Sequence, residues 1–179
     1  MQQPKVDSCG KKRIYLKENK YIESSGMTTA MKKAWTELFQ PILRRPPELQ
    51  VAALCYRNSK KHGTQVLLIT SRGTGRWIVP KGWPMEGKKA AEAALQEAWE
   101  EAGVSKGAKI EGHVGSFGYD KQLDGGYEAP VEVEVFKVHV DQLADIYPEH
   151  DERTRRWVSP ADAAEMVQEP GLKSILLEM

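Results

Sequence analysis

Cysteine is nearly absent. Only Cys9 and Cys55 occur in 179 residues, which excludes a disulfide framework and a thiolate metal centre. Cys9 stands in a polar leader and Cys55 in an apolar run, as expected of free thiols in a reducing compartment. No stretch of eighteen apolar residues occurs, so no membrane-spanning helix is expected, and no charged-then-apolar start with a small-residue cleavage site marks a secretory signal. These absences point to a soluble, cytoplasmic protein. No internal repeat or low-complexity tract is visible, which argues against a stacked-repeat architecture. Net charge is also nearly absent, at +1. Its distribution is uneven, however: residues 1–45 carry ten Lys or Arg against four acids, and the remainder sixteen against twenty-one. A basic arm can bind an anionic surface, but its aromatics follow no nucleic-acid motif, so nucleic acid is not expected as a partner.

What the sequence does have is concentrated between residues 80 and 104. The segment Pro80-Lys81-Gly82-Trp83-Pro84-Met85-Glu86-Gly87-Lys88 is a glycine-punctuated loop running into an Ala-rich helix former that closes at Gly103. Glu97, Glu100 and Glu101 fall at i, i+3 and i+4, so three carboxylates share one helical face. No basic residue stands beside them. Such like-charge spacings each oppose the helix by roughly 0.2–0.5 kcal/mol, and a cation is the remedy. Carboxylate oxygens are hard ligands suited to Mg²⁺, which is typically shared between protein carboxylates and the phosphates of a substrate. The opposite stripe, Ala91, Leu95, Ala98 and Ala102, is apolar and small, so the helix is expected to lie close to a sheet with its acids pointing outward into a cleft.

This stretch resembles the signature box of the Nudix hydrolases: glycine, five residues, Glu, seven residues, Arg-Glu, an aliphatic, any residue, Glu-Glu, any residue, Gly, an aliphatic. Here the positions are Gly82, Lys88, Gln96-Glu97-Ala98, Glu100-Glu101 and Gly103-Val104. Lys88 replaces the first Glu and Gln96 the Arg; the three acids are present. Ser71-Arg72, Arg76-Trp77-Ile78-Val79-Pro80 and Arg156-Trp157-Val158 further resemble the branch that hydrolyses diphosphoinositol polyphosphates and diadenosine polyphosphates. The likeness covers roughly Val51 to Leu177.

Along the chain, residues 1–45 read as a basic N-terminal extension, partly flexible, with one short helix over Thr29–Phe39. Arg44-Arg45-Pro46-Pro47 ends it, and 46–179 reads as the catalytic domain. Val51–Tyr56 and Val66–Thr70 are expected strands joined by a polar loop from Arg57 to Gly63. Trp77–Val79 is a short strand delivering Pro80 and Lys81. Ile110–Phe117 is a strand interrupted at Gly112 and Gly115, and Tyr119–Gly126 a loop turning at Asp124-Gly125-Gly126. Val131, Val133 and Val135 alternate with Glu132, Glu134 and Phe136, a strand with one buried face. After Arg156–Val158, Ser159-Pro160 caps a helix to about Val167; Pro170-Gly171 interrupts it, and Leu172–Leu177 is a last helical piece. The fold class is α/β (α+β), a mixed sheet sandwiched between helices, and the resemblance implies the same.

For chemistry, Glu97 and Glu101 are the first choice as direct ligands of Mg²⁺ or Mn²⁺, with Glu100 a third ligand or base. The resemblance adds a backbone carbonyl near Gly82 to the metal's ligands and a general base from a later element, for which Glu132, Glu134 and Glu152 are candidates. Arg57, Arg72, Arg76 and Lys81 are the expected phosphate-binding side chains, with Lys121 and Arg155 approaching from other loops. An inositol carrying many phosphates needs most of them; a dinucleotide needs fewer, plus an aromatic surface such as Trp83, Tyr119 or Tyr127. The expected activity is pyrophosphate hydrolysis in a phosphorylated small molecule by a monomer or homodimer. The alternatives are a binding or regulatory module weakened at Lys88 and Gln96, and a hydrolase of RNA 5′ ends.

Overall fold

Buried apolar residues run unbroken along Val51–Tyr56 and Val66–Ile69, so each face of the sheet needs a helical cover. The computed structural model describes residues 46–122 and 128–179. The extension at 1–45, its Thr29–Phe39 helix and the turn at Asp124-Gly125-Gly126 therefore lie outside the described residues. The described elements are β1 (Glu48–Ser59), β2 (Gly63–Thr70), β3 (Trp77–Ile78), β4 (Lys81–Gly82), α1 (Ala90–Ala102), β5 (Lys109–Gln122), β6 (Glu128–His139), β7 (Arg155–Val158), α2 (Pro160–Met166) and α3 (Pro170–Leu177). The sheet runs β3-β2-β1-β6-β5, with β4 pairing β1 and β7 pairing β2.

β1 is central and mostly buried. It pairs parallel with β6, antiparallel with β2 near its far end and antiparallel with β4 at Val51 and Ala52. Ala52, Leu54 and Tyr56 join Val131, Val133 and Val135 on one face, under Ala163, Ala164, Val167, Leu172 and Leu176 of the α2–α3 segment. Val51, Ala53 and Cys55 join Phe136 and Val138 on the other, under Ala93, Ala94, Leu95, Ala98 and Ala102 of α1. The small residues of α1 bring its axis close to the sheet, as the sequence pattern required. Cys55 is fully buried, and burial pushes its thiol up to about 12, so it is a core residue.

Several boundaries differ from the sequence reading. The β1–β2 strands extend into the expected loop, pairing Arg57 with Gln65 and Ser59 with Gly63. β5 runs through Tyr119–Gln122, in register with Val131–Glu128, so the loop expected there is strand. Bulges at Ile110/Gly112 and His113/Gly115 bend β5 without ending it. Pro170 opens α3 at its first turn, where a proline's missing N–H is harmless, and does not interrupt a helix. The two-residue strand β4 was not anticipated, because nothing in Lys81-Gly82 carries a strand pattern. Ser159 caps α2 as expected, accepting from Asp162 N–H at 3.1 Å.

Gly103 closes α1 in the left-handed region, at φ 70°, with its N–H on Trp99 O at 3.0 Å. A Cβ there would lie 2.7 Å from the Tyr147 ring and 2.8 Å from Ala144 O. Gly103→Ala is therefore expected to destabilise the fold by more than the roughly 1–2 kcal/mol of a left-handed alanine alone, and urea unfolding would measure it. A loss below about 1 kcal/mol would contradict this close packing.

Candidate active site

The three acids stand in the second half of α1, the end of a helix where negative charge is least welcome. Glu97 lies against β4 so tightly that a methyl group on Gly82 would overlap its carboxylate. Only glycine leaves room there. Burial raises Glu97 from its ordinary 4.5 to about 7, and Glu101, Glu100 and Glu149 push it the same way against Arg153. Glu101 does not point outward into a cleft, as expected, but is buried at 6% exposure. Its Oε2 accepts the Lys81 N–H at 2.9 Å, and its Oε1 pairs with Arg153. Burial dominates its raised pKa, with Arg153 opposing. Glu100 accepts from Gln96 through its side chain and from Glu149 N–H through its carbonyl at 3.0 Å.

Arg153 is the residue that sequence reasoning missed. The expectation that nothing basic stands beside the acids is overturned by this buried guanidinium, which pairs with Glu101 and Glu149 and donates to Thr70 O at 2.9 Å. Its only signal is its place within the charged run 149–156. Two residues on, Arg155 donates to Ala102 O at 2.9 Å and Ala144 O at 2.7 Å. It caps the negative end of α1, so it is not free to approach a phosphate.

The expected phosphate-binding cations are scattered. Arg57 sits six residues beyond Val51 on β1, roughly 20 Å away at strand rise. There it bonds Gln65 and stacks on Trp157 at 4.4 Å, remote from the acids. Arg72, 61% exposed, leans on Glu149 and Glu152, which leaves Glu152 at the exposed rim. Lys81 faces away from the acids: its amide serves Glu101, while its ammonium emerges on the α2–α3 side. It donates there to Gln50 Oε1 at 2.9 Å and Tyr119 OH at 2.8 Å. Desolvation lowers Lys81 to about 8, countered by Glu101 and Glu169. Arg76 reaches Gln168 at 2.8 Å and Glu169 at 3.6 Å. Glu169 is buried, and its Oε2 has no hydrogen-bond partner among the described residues. Trp83 is 40% exposed and carries Lys121 over its ring at 4.6 Å. Tyr127 lies outside the described residues.

Of the base candidates, Glu134 pairs in register with Val51, which pairs with Gly82. It shares the Phe136 face of the sheet, so it projects toward α1 about 10 Å from Gly82, two strand spacings away. Glu132 is one pleat further on and lines a cavity of about 400 Å³ beside Pro47, Phe117 and Tyr119. Among the described residues no three acidic side chains converge on one preformed metal position. The donor chemistry nevertheless fits a divalent ion. Glu97 is a hard oxygen donor beside the Gly82 backbone, with Glu100 one turn further along the same helical face and, among the described residues, no ion pair to either; Glu101 is held by Arg153.

Residues 47–178 match the family model for the NUDIX domain. Nudix hydrolase 16, mitochondrial, of Arabidopsis thaliana is 31% identical over 133 residues, covering 69% of this chain and 73% of that protein. A second Arabidopsis relative, Nudix hydrolase 21, chloroplastic, is 34% identical over 65% of this chain, which spans only 59% of its length. The asymmetrical bis(5'-nucleosyl)-tetraphosphatase of Sus scrofa is 29% identical, over 63% of this chain and 76% of that one. The solved C. elegans Ap4A hydrolase shares the fold, with TM-score 0.54 and 20% identity over 74% of this chain and 96% of that one. Among the described residues no helix is long and apolar enough to cross a membrane.

Two outcomes follow from the charge balance. Folded Glu97 binds a proton in the window from 4.5 to about 7 where the unfolded chain does not, so stability falls as pH rises through that window and levels off above it. Glu97→Gln is expected to flatten this slope and to raise the melting temperature at pH 8 more than at pH 4.5; an unchanged slope refutes the assignment. Arg153→Met leaves Glu101 and Glu149 uncompensated and is expected to destabilise the fold by about 3–5 kcal/mol in denaturant titrations at pH 7.5.

Proposed function

The chain belongs to the Nudix family, and on that premise we propose that it is a divalent-metal-dependent pyrophosphohydrolase acting on a dinucleoside polyphosphate. The observation that carries this reading is the Glu97 carboxylate pressed on the Gly82 backbone, with Glu100 and Glu101 close by and too little positive charge to balance them. Glu97, Glu100, Glu101 and the Gly82 carbonyl would hold Mg²⁺ or Mn²⁺. Bound there, the ion supplies neutralisation of phosphate charge and a water of lowered pKa.

The chain's own residues do the rest. Glu101 is held at Oε2 by the Lys81 amide, which ties the end of α1 to β4. Glu134, on the same face, is our candidate to take a proton from the attacking water. Lys81 and Arg76 grip phosphate oxygens beyond the metal, Lys81 as a point charge and Arg76 through its fork. A ligand touching both sides runs along the edge of β4.

The distribution of cations favours a dinucleotide over a diphosphoinositol polyphosphate. Arg57 and Arg155 are committed elsewhere, and Arg72 is already engaged by Glu149 and Glu152. That leaves too few cations for a ring of phosphates. Glu169, buried beside Arg76, which answers part of its charge, offers an acceptor that suits an N–H of a base. Trp83 and Tyr119 give aromatic surface. The tetraphosphatase relative is in accord with this choice. The protein is taken to act in the cytoplasm, where a buried reduced thiol is at home; the Arabidopsis relatives carry organellar names, so fractionation is the check.

A second reading is kept because Arg153 already occupies Glu101: the domain binds polyphosphates without turning them over. Product formation, the two mononucleotides from diadenosine tetraphosphate, inorganic phosphate from a diphosphoinositol polyphosphate and the released cap nucleotide from a capped RNA, is measured chromatographically with Mg²⁺ or Mn²⁺ for the unsubstituted chain and Glu101→Gln. Turnover of the dinucleotide is expected, with a loss of about 10²-fold or more in the variant. Ligand-raised melting temperatures without turnover of any substrate would favour the binding reading.

A further inference from the structure

Lys88 and Gln96 are the positions at which this chain departs from the signature box, and they touch. Lys88 Nζ donates to Gln96 Oε1 at 3.1 Å, and Gln96 Nε2 donates onward to Glu100 Oε1. A carboxamide has one accepting end and one donating end. With an ammonium on its oxygen, Gln96 presents its NH₂ to Glu100. Turned over, its carbonyl would face a carboxylate and its NH₂ an ammonium, and both contacts would be lost. Gln96 and Glu100 are one helical turn apart, the spacing at which such side chains meet without strain. The result pins one oxygen of Glu100 and leaves the other for a ligand.

We propose that Lys88 and Gln96 act as one positioning pair that aims Glu100 at the divalent ion; this rests on the metal reading given above. Lys88 works by setting the orientation of Gln96, not by its charge. The two roles have opposite signs. A cation near the metal opposes its uptake, so if charge alone mattered, removing Lys88 would tighten metal binding. If orientation matters, removing it weakens metal binding, because Glu100 is released.

Mn²⁺ binding to the full chain is followed by electron paramagnetic resonance for the unsubstituted protein, Lys88→Met, Lys88→Arg, Gln96→Met and the double methionine variant, with circular dichroism confirming folding. Each single methionine variant is expected to bind Mn²⁺ about tenfold more weakly. Lys88→Arg should retain affinity. The double variant should be no weaker than Gln96→Met alone, because Lys88 has no route to the metal except through Gln96. In turnover, kcat should fall while KM stays put. Tighter or unchanged Mn²⁺ binding in Lys88→Met, or losses that add in the double variant, overturns the pair while leaving the metal site standing. No Mn²⁺ uptake by the unsubstituted chain, with diadenosine tetraphosphate supplied, overturns the metal reading and the pair together.

Discussion

The constraint that organises this molecule is the presence of three carboxylates in the last two turns of α1. The helix dipole, mutual repulsion and burial all oppose them there. Each is answered by a different part of the chain. Arg153 brings a buried guanidinium to Glu101 and Glu149, and Arg155 donates to the Ala102 carbonyl at the helix end. The Lys81 amide caps Glu101 from β4. These responses remain incomplete at Glu97, which burial and the neighbouring acids raise to about 7.

β4 is only two residues long, yet it separates two chemical environments. Because strand residues alternate, Gly82 meets the acids on one face while Lys81 sends its ammonium to Gln50 and Tyr119 on the other. Backbone and side chain of a single lysine thus serve both sides. One side is acidic and the other basic and aromatic. Their adjacency follows from pleat geometry alone.

The parts of this arrangement visible in the sequence were local ones. The glycine-to-helix passage, the acid spacing and the Ser159 cap each announce themselves within a few residues, and the small-residue stripe of α1 foretold its close approach to the sheet. Arg153 could not be found that way, since its partner Glu101 is 52 positions off and nothing distinguishes it from its charged neighbours. The same applies to Arg57: its attractive position at a strand end gave no hint that the strand continues and carries it away from the acids. Glu101 was expected to be exposed because helical periodicity assigns a face but not the depth to which a distant loop buries it. β4 escaped because pairing with β1, not its own two residues, makes it a strand.

The parallel pairing of Glu48–Tyr56 with Val131–His139 has a consequence during synthesis. On a ribosome the middle strand emerges about 80 residues before its neighbour, an interval of roughly 4–16 s at ordinary elongation rates. Throughout that delay one hydrogen-bonding edge of a buried, apolar strand is open, a template for association with other nascent chains. Premature termination anywhere before β6 would leave that edge permanently uncovered, so truncated products are destined for proteolysis or aggregates, not for a smaller working enzyme.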